Sequence, residues 1–298
     1  MAESSSDPFV THRGLLFTVA YEMLGSAADA EDVLQESWLR WAEADRTEVR
    51  DPRAYLVRIV TRQSLNRLRT LSRRREDYVG QWLPEPLLTS PDVADDVELA
   101  ESVSIALLTV LETLGPTERA VFVLREVFDV PYGEIAEAVG KSPATVRQIA
   151  RRARDHVAAR QPRTKVARTE QQAVVERFLA ALRTGNLQGL MEVIAPDVVM
   201  IADGGGRVAA ALAPLIGVDV VAKLLASAQA KVTELTAAPA WFNAAPSARV
   251  EFDGAPAAVS VVVKDARITH IYVVRNPAKL TRIDEEANLS RTSSPAGD

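Results

Sequence analysis

The sequence predicts a multidomain chain: two all-α domains, the second built around a helix-turn-helix, followed by an α+β domain. Three observations carry this. Apolar residues recur at helical spacing through most of residues 8–160. Charge is segregated into blocks along that same stretch. After Thr169 the pattern changes to two helices and then a series of short strand-like runs.

The first all-α segment covers residues 8–75. Leu15, Leu16, Val19, Ala20 and Met23 form one apolar stripe, and Gly25-Ser26 breaks it. A second helix starts near Asp29 and runs through Val33, Leu34, Trp38, Leu39 and Trp41. Asp51-Pro52 opens a third, with proline in the first turn where its missing N–H costs nothing. Its apolar positions are Tyr55, Leu56, Ile59, Val60, Leu65 and Leu68, and Arg58, Arg62, Arg69 and Arg73 fall largely on the remaining surface.

Residues 76–97 read as a linker with Pro84, Pro86 and Pro91 and the string WLPEPL. Residues 98–160 form the second all-α segment: helices over Glu98–Leu114 and Thr117–Phe128, then the helix-turn-helix. In it, Ile135 and Val139 are buried on the first helix, Gly140 is suited to a left-handed cap, Ser142 is an N-cap and Pro143 a first-turn residue. Val146, Ile149, Ala150, Ala153 and Val157 make the inward stripe of the second helix. Thr145, Arg147, Gln148, Arg151, Arg152 and Arg154 are left outside, on the helix that such a motif places in the major groove.

Residues 161–169 form a basic connection. The α+β domain spans 169–283, with helices at about 170–184, 186–195 and 219–231 and antiparallel strands at 235–243, 248–252, 257–264 and 267–275. The tail, 284–298, is polar and expected to be disordered.

The net charge of -5 conceals the blocks. Arg46–Arg75 holds ten Arg against Glu48 and Asp51; Glu76–Glu118 holds ten acids and no Lys or Arg; Lys141–Arg168 holds nine bases against Asp155. Two basic blocks on helices are the electrostatic footprint of a nucleic-acid binder. The sequence has no cysteine and only His12, His156 and His270, which excludes disulfides and argues against a zinc site; no metal or cofactor is expected. No apolar run approaches a membrane span, and the first residues do not read as a signal peptide, so a cytoplasmic protein is expected.

Asp29-Ala30-Glu31-Asp32-Val33-Leu34-Gln35-Glu36-Ser37-Trp38-Leu39-Arg40-Trp41 resembles region 2 of sigma-70-type transcription factors, and Tyr55–Val60 with Asn66-Arg67-Leu68-Arg69 continues that match. Leu114–Phe122 and the helix-turn-helix resemble region 4. The minimal layout resembles the extracytoplasmic-function sigma factors. Trp82–Leu87, Asp203-Gly204-Gly205-Gly206-Arg207 and Asn276-Pro277-Ala278-Lys279-Leu280 resemble the subgroup with a SnoaL-like, NTF2-like C-terminal extension, the mycobacterial sigma J type. Where that subgroup more often carries Lys, this chain has Arg207.

The resemblance implies partners and roles. Asp29, Glu31, Asp32, Gln35, Glu36 and Trp38 would dock on the RNA polymerase core. Arg58, Arg62, Asn66, Arg67 and Arg69 would hold the melted -10 promoter strand. Ser142, Thr145, Arg147, Gln148, Arg151 and Arg152 would read the -35 element as duplex. Asp203, Gly204, Gly205, Gly206 and Arg207 would meet the linker at Trp82, Pro84 and Pro86 and regulate activity. None of these parts is catalytic, and the attached domain takes the place of a separate anti-sigma inhibitor. The alternative is a helix-turn-helix regulator fused to a small-molecule-binding or isomerase/cyclase-like domain, with Asp203, His270, Asp253 and Trp241 lining a ligand pocket. A plainer reading of the glycine run is a tight connection capped by Asp203.

Overall fold

The computed structural model describes residues 7–162 and 166–291, with nothing stated for the side chains of residues 72–76 and 229. The basic connection is thus described only in part, and Arg73 lies outside the described side chains. Two compact units emerge. Among the described residues, the first holds 7–76, 107–161 and 288–291; the second holds 77–106, 162 and 166–287.

In the first unit, α1 (Pro8–Thr11), α2 (Arg13–Leu24), α3 (Ala27–Glu43) and α4 (Pro52–Glu76) form a bundle. Gly25 closes α2 in the left-handed conformation (φ 68°), and Ser26 caps α3 by accepting from Asp29 N–H at 3.2 Å. The stripe Leu15, Leu16, Val19, Ala20 and Met23 is buried, facing Leu56, Val60, Leu65 and Leu68 of α4. The two tryptophans of α3 divide. Trp41 is core, its indole donating to Asp7 at 2.9 Å, whereas Trp38 is 38% exposed.

Short helices follow: α5 (Val97–Ser102, in the second unit), α6 (Ile105–Leu111) and α7 (Pro116–Phe122), which continues as a π-helical turn over Val123–Val127. The helix expected to run unbroken over 98–114 is therefore two helices, α5 and α6. α8 (Tyr132–Val139) and α9 (Pro143–Arg160) are the helix-turn-helix, joined through Gly140 at φ 68°. Arg119 of α7 is fully buried; it donates to the Glu22 carbonyl at 2.9 Å and pairs with Glu112. Burial pulls this guanidinium down to about 9, which leaves it charged at neutral pH.

The second unit contains α10 (Arg168–Thr184), α11 (Leu187–Val193) and α12 (Val218–Lys231) on one face of a six-stranded sheet. Its strands are β1 (Ile194–Asp203), β2 (Leu215–Ile216), β3 (Leu235–Phe242), β4 (Ala245–Phe252), β5 (Ala255–Lys264) and β6 (Arg267–Val274), in the order β2-β1-β6-β5-β4-β3. This is the α+β layout expected of a SnoaL-like, NTF2-like domain. The sheet is mixed rather than antiparallel throughout. β1 lies parallel to β6, a pairing that needs the long crossover through α12 and the four strands β2 to β5 between them.

The opposite face of the sheet is covered by the linker. Leu83 and Ile105 are buried with Phe242, Ala258, Tyr272, Val274, Leu280 and Ile283. Leu83, Pro84, Glu85, Pro86 and Leu87 are all buried, and Leu88 bridges to Phe242. Asn243, in the β3–β4 turn at φ 55°, accepts from Leu87 N–H at 3.0 Å and donates to Val103 C=O at 2.9 Å. The segment is a built part of the second unit, because its apolar residues cover a sheet face that would otherwise be wet.

The tail expectation falls partly on residues 292–298, outside the description. The described part is ordered by contacts: Ala287 N–H donates to Leu88 C=O at 2.8 Å, and Leu289 is buried.

Candidate functional site

On α3, Ala30, Val33, Leu34, Ser37 and Trp41 face inward, which leaves Asp32, Gln35, Glu36 and Leu39 as an exposed stripe with Trp38 beside it. Trp38 packs edge-on to Phe9 with centroids 5.1 Å apart. Glu31 pairs with Arg13 at 2.7 Å, and Glu36 accepts from Gln63 at 3.0 Å. Asp29 and Asp32 both pair with Arg67, at 2.6 and 2.8 Å. An acidic, partly apolar surface of this kind suits a basic partner protein.

On α4, Arg58, Arg62, Asn66 and Arg69 fall within about 80° of one another at 100° per residue, making one polar stripe. Arg67 lies about 180° from Arg58 on the same helix, turned to α3. The structure therefore separates Arg67 from the other four. Its guanidinium is pushed up, first by the hydrogen bond to Asp29. Arg58 lies over the Tyr55 ring at 5.3 Å, an arrangement that suits a surface for unstacked bases.

On α9, Thr145, Arg147, Gln148, Arg151 and Arg152 are exposed. Ser142 serves the helix itself: its hydroxyl accepts from Thr145 N–H at 3.2 Å and meets the Thr145 hydroxyl at 2.8 Å. Arg154 pairs with Glu126 at 2.7 Å. Arg147, Gln148 and Arg151 are exposed together, with the Arg147 guanidinium 6.0 Å from the centre of the Tyr132 ring, and side chains of these types have the donors that read guanine and adenine edges.

In the second unit, one cluster joins the linker to the sheet. Asp203, the last residue of β1, has no exposed surface. It accepts from Leu83 N–H at 2.9 Å and from the Tyr78 hydroxyl at 2.6 Å, and pairs with Lys279 Nζ at 2.7 Å. Asn276 donates to the Tyr78 oxygen at 2.8 Å, and Lys279 Nζ lies 3.8 Å from the centre of the Trp82 ring. Burial, then the bond to Asp203, push the Tyr78 hydroxyl well above its usual range. The glycines are required by space. A Cβ on Gly204 would lie 2.3 Å from the Val208 carbonyl oxygen, and one on Gly205 (φ 59°) 2.3 Å from Asn276 Nδ2. Arg207 is exposed, while Pro84 and Pro86 are buried. Sequence reasoning singled out Asp203 and Trp82 but assigned no role to Tyr78, Asn276 or Lys279. The string NPAKL was the available signal for the last two.

The pocket expected under the alternative reading does not assemble from its four residues. Asp203 is consumed by the linker. Asp253 caps a turn, accepting from Thr233 and Glu234 N–H at 2.8 and 2.9 Å. Trp241 is the penultimate residue of β3, four strands or roughly 19 Å from β1. His270 is half-buried beside Tyr272, and its burial holds the imidazole below its usual range. Among the described residues no cluster of His, Cys, Asp and Glu is placed to hold a metal.

Comparison with known proteins identifies the family of the two helical regions. Residues 9–74 match the family Sigma-70 region 2, and residues 104–157 match Sigma-70, region 4. Together they define a sigma-type transcription initiation factor, a class that binds core RNA polymerase and promoter DNA. The chain is 36% identical to the ECF RNA polymerase sigma factor SigJ of Mycobacterium tuberculosis over 289 residues, 92% of each sequence. It is 32% identical to the probable ECF RNA polymerase sigma factor SigI of the same organism over 92% of this chain and 94% of that one. The crystal structure of M. tuberculosis SigJ superposes with a TM-score of 0.70 at 34% identity, covering 92% of this chain and 96% of the other. The chain belongs to the ECF RNA polymerase sigma factors: it recognises promoters and starts transcription. Among the described residues no helix is long and apolar enough to cross a membrane.

Proposed function

We propose that the α3 stripe docks on polymerase core, that the α4 stripe holds the -10 strand, that α9 reads the -35 element, and that the C-terminal domain regulates the factor by holding its linker. The observation that supports the last point is the buried Asp203 carboxylate receiving Leu83 N–H, Tyr78 and Lys279. On the docking face, Asp32, Gln35, Glu36 and Trp38 are the contact residues, Glu31 flanks them, and Asp29 orients Arg67. Arg58, Arg62, Asn66 and Arg69 carry the -10 contacts, and Arg67 is a positioning residue between α3 and α4. Arg147, Gln148 and Arg151 read bases, Thr145 and Arg152 hold phosphate, and Ser142 sets the helix start. Chemistry of nucleotide transfer belongs to the polymerase; this chain acts in the cytoplasm, without catalysis of its own and without a separate inhibitor protein.

The test of the DNA assignment is Arg147→Ala in run-off transcription with core polymerase. Loss of one specific base contact, worth about 1–3 kcal/mol, predicts a five-fold or greater fall in promoter-specific transcript. Co-purification with core should remain unchanged. Full promoter activity in this variant would remove α9 from the reading. Stoichiometric capture of a protein other than core would overturn the proposal that no inhibitor acts.

A further inference from the structure

The α4 stripe is not open. Arg58 Nη1 lies 3.1 Å from Glu137 Oε2, and Arg62 Nη2 donates to the Glu137 main-chain carbonyl at 2.9 Å. Glu137 sits in the last turn of α8, where unpaired carbonyls and the helix dipole add negative potential. Beside it, a cleft of about 490 Å³ is walled by Arg50, Tyr55 and Arg58 on one side and by Glu134 and Glu137 on the other. Two carboxylates and a carbonyl thus stand where a phosphate strand would meet the arginines.

A second observation concerns the C-terminal tail. Ser290 N–H donates to Thr18 Oγ1 of α2 at 3.0 Å. Arg291 donates through Nε and Nη2 to the Val127 carbonyl, at 3.0 and 2.7 Å, at the end of the π-helical turn after α7. Leu289 between Asn288 and Ser290 is buried. Gly14 of α2 lies under this segment: a Cβ there would come to 3.4 Å from Ser290 Cβ. The tail therefore bonds to the region 2 bundle and to region 4 within three residues.

We propose that the first unit is a self-occluded state, in which the acidic end of α8 stands in for DNA phosphate on the -10 stripe and residues 289–291 clasp region 4 to region 2. The proposal rests on the assignment of Arg58 and Arg62 to the -10 strand. Its contacts are half-exposed ion pairs and carbonyl bonds, which are weak individually and suit a latch that must open on core. A single strand competes for the same cations, and both interactions weaken with salt.

The absence of cysteine makes the test direct. Glu43→Cys and Lys141→Cys, both exposed, take a donor and acceptor dye on region 2 and region 4 of the full chain. Energy transfer and affinity for a random-sequence single-stranded DNA 20-mer are then measured in the parent, Glu137→Gln and Arg291→Ala. Each variant should lower transfer and tighten DNA binding at least three-fold. Arg291→Ala is the discriminating case, because it removes a positive charge: simple electrostatics predicts weaker binding, the clasp predicts tighter. Parent values of both readouts in Arg291→Ala overturn the clasp, and in Glu137→Gln they overturn the phosphate mimic. Arg58→Ala placed on Glu137→Gln separates the underlying assignment. If it leaves DNA binding intact, the -10 role of Arg58 fails; if it weakens binding while the latch variants behave as parent, only the latch fails.

Discussion

Lys279 shows how much rests on single residues. Its ammonium is one of three donors to a carboxylate with no exposed surface, and it lies against the Trp82 ring. Removing one partner of a buried pair strands the other, at a cost of about 3–5 kcal/mol. Lys279→Met should therefore lower the unfolding free energy of the second unit by about that much, read as a lower urea midpoint. Lys279→Met combined with Asp203→Asn should cost less than the two singly, since the second change removes the stranded charge. A Lys279→Met protein as stable as the parent would show that the pair contributes nothing. At this scale the sequence was only half legible. Taken locally, Asp203 and the glycine run read as a tight turn, and only the family resemblance set them against the linker. The partners Tyr78 and Leu83 lie 125 and 120 residues away, and no local pattern joins them. Arg67 is a comparable case: its place among arginines suggested DNA, but helical geometry turns it to the acids of α3.

Among the elements, the helices were the most legible because their ends carry chemical signals. Gly25, Ser26, Pro52, Gly140, Ser142 and Pro143 occupy the caps or first turns their side chains suit. Ser142 matters twice, since it starts α9 and fixes Thr145 beside Arg147. Ser142→Ala should lower the stability of the helix-turn-helix by about 1 kcal/mol, detectable as a lower melting temperature, with no change in core binding. An unchanged melting temperature would mean the cap is replaced by water. Two features escaped the sequence. The sequence reading ends a helix at about residue 195 and assigns no strand to 196–203, whereas β1 begins at Ile194 and pairs with β6. The acidic, proline-rich linker carries no local signal that its leucines cover one face of the sheet.

For the whole molecule, two units divide the labour. One carries the polymerase- and promoter-facing surfaces of an ECF sigma factor. The other takes the linker between region 2 and region 4 into its own fold, with residues 77–106 counted among its packing. A linker held this way cannot extend freely between the two DNA-reading regions, so its release should change output without any change in the reading surfaces. The most direct measurement is run-off transcription by core polymerase saturated with the full chain, comparing the parent with Asp203→Asn. A promoter-specific transcript is expected from the parent, and a yield at least three-fold higher from Asp203→Asn, with equal affinity for core. Equal yields from the two would contradict control through the linker, and no promoter-specific transcript from either would contradict the function itself.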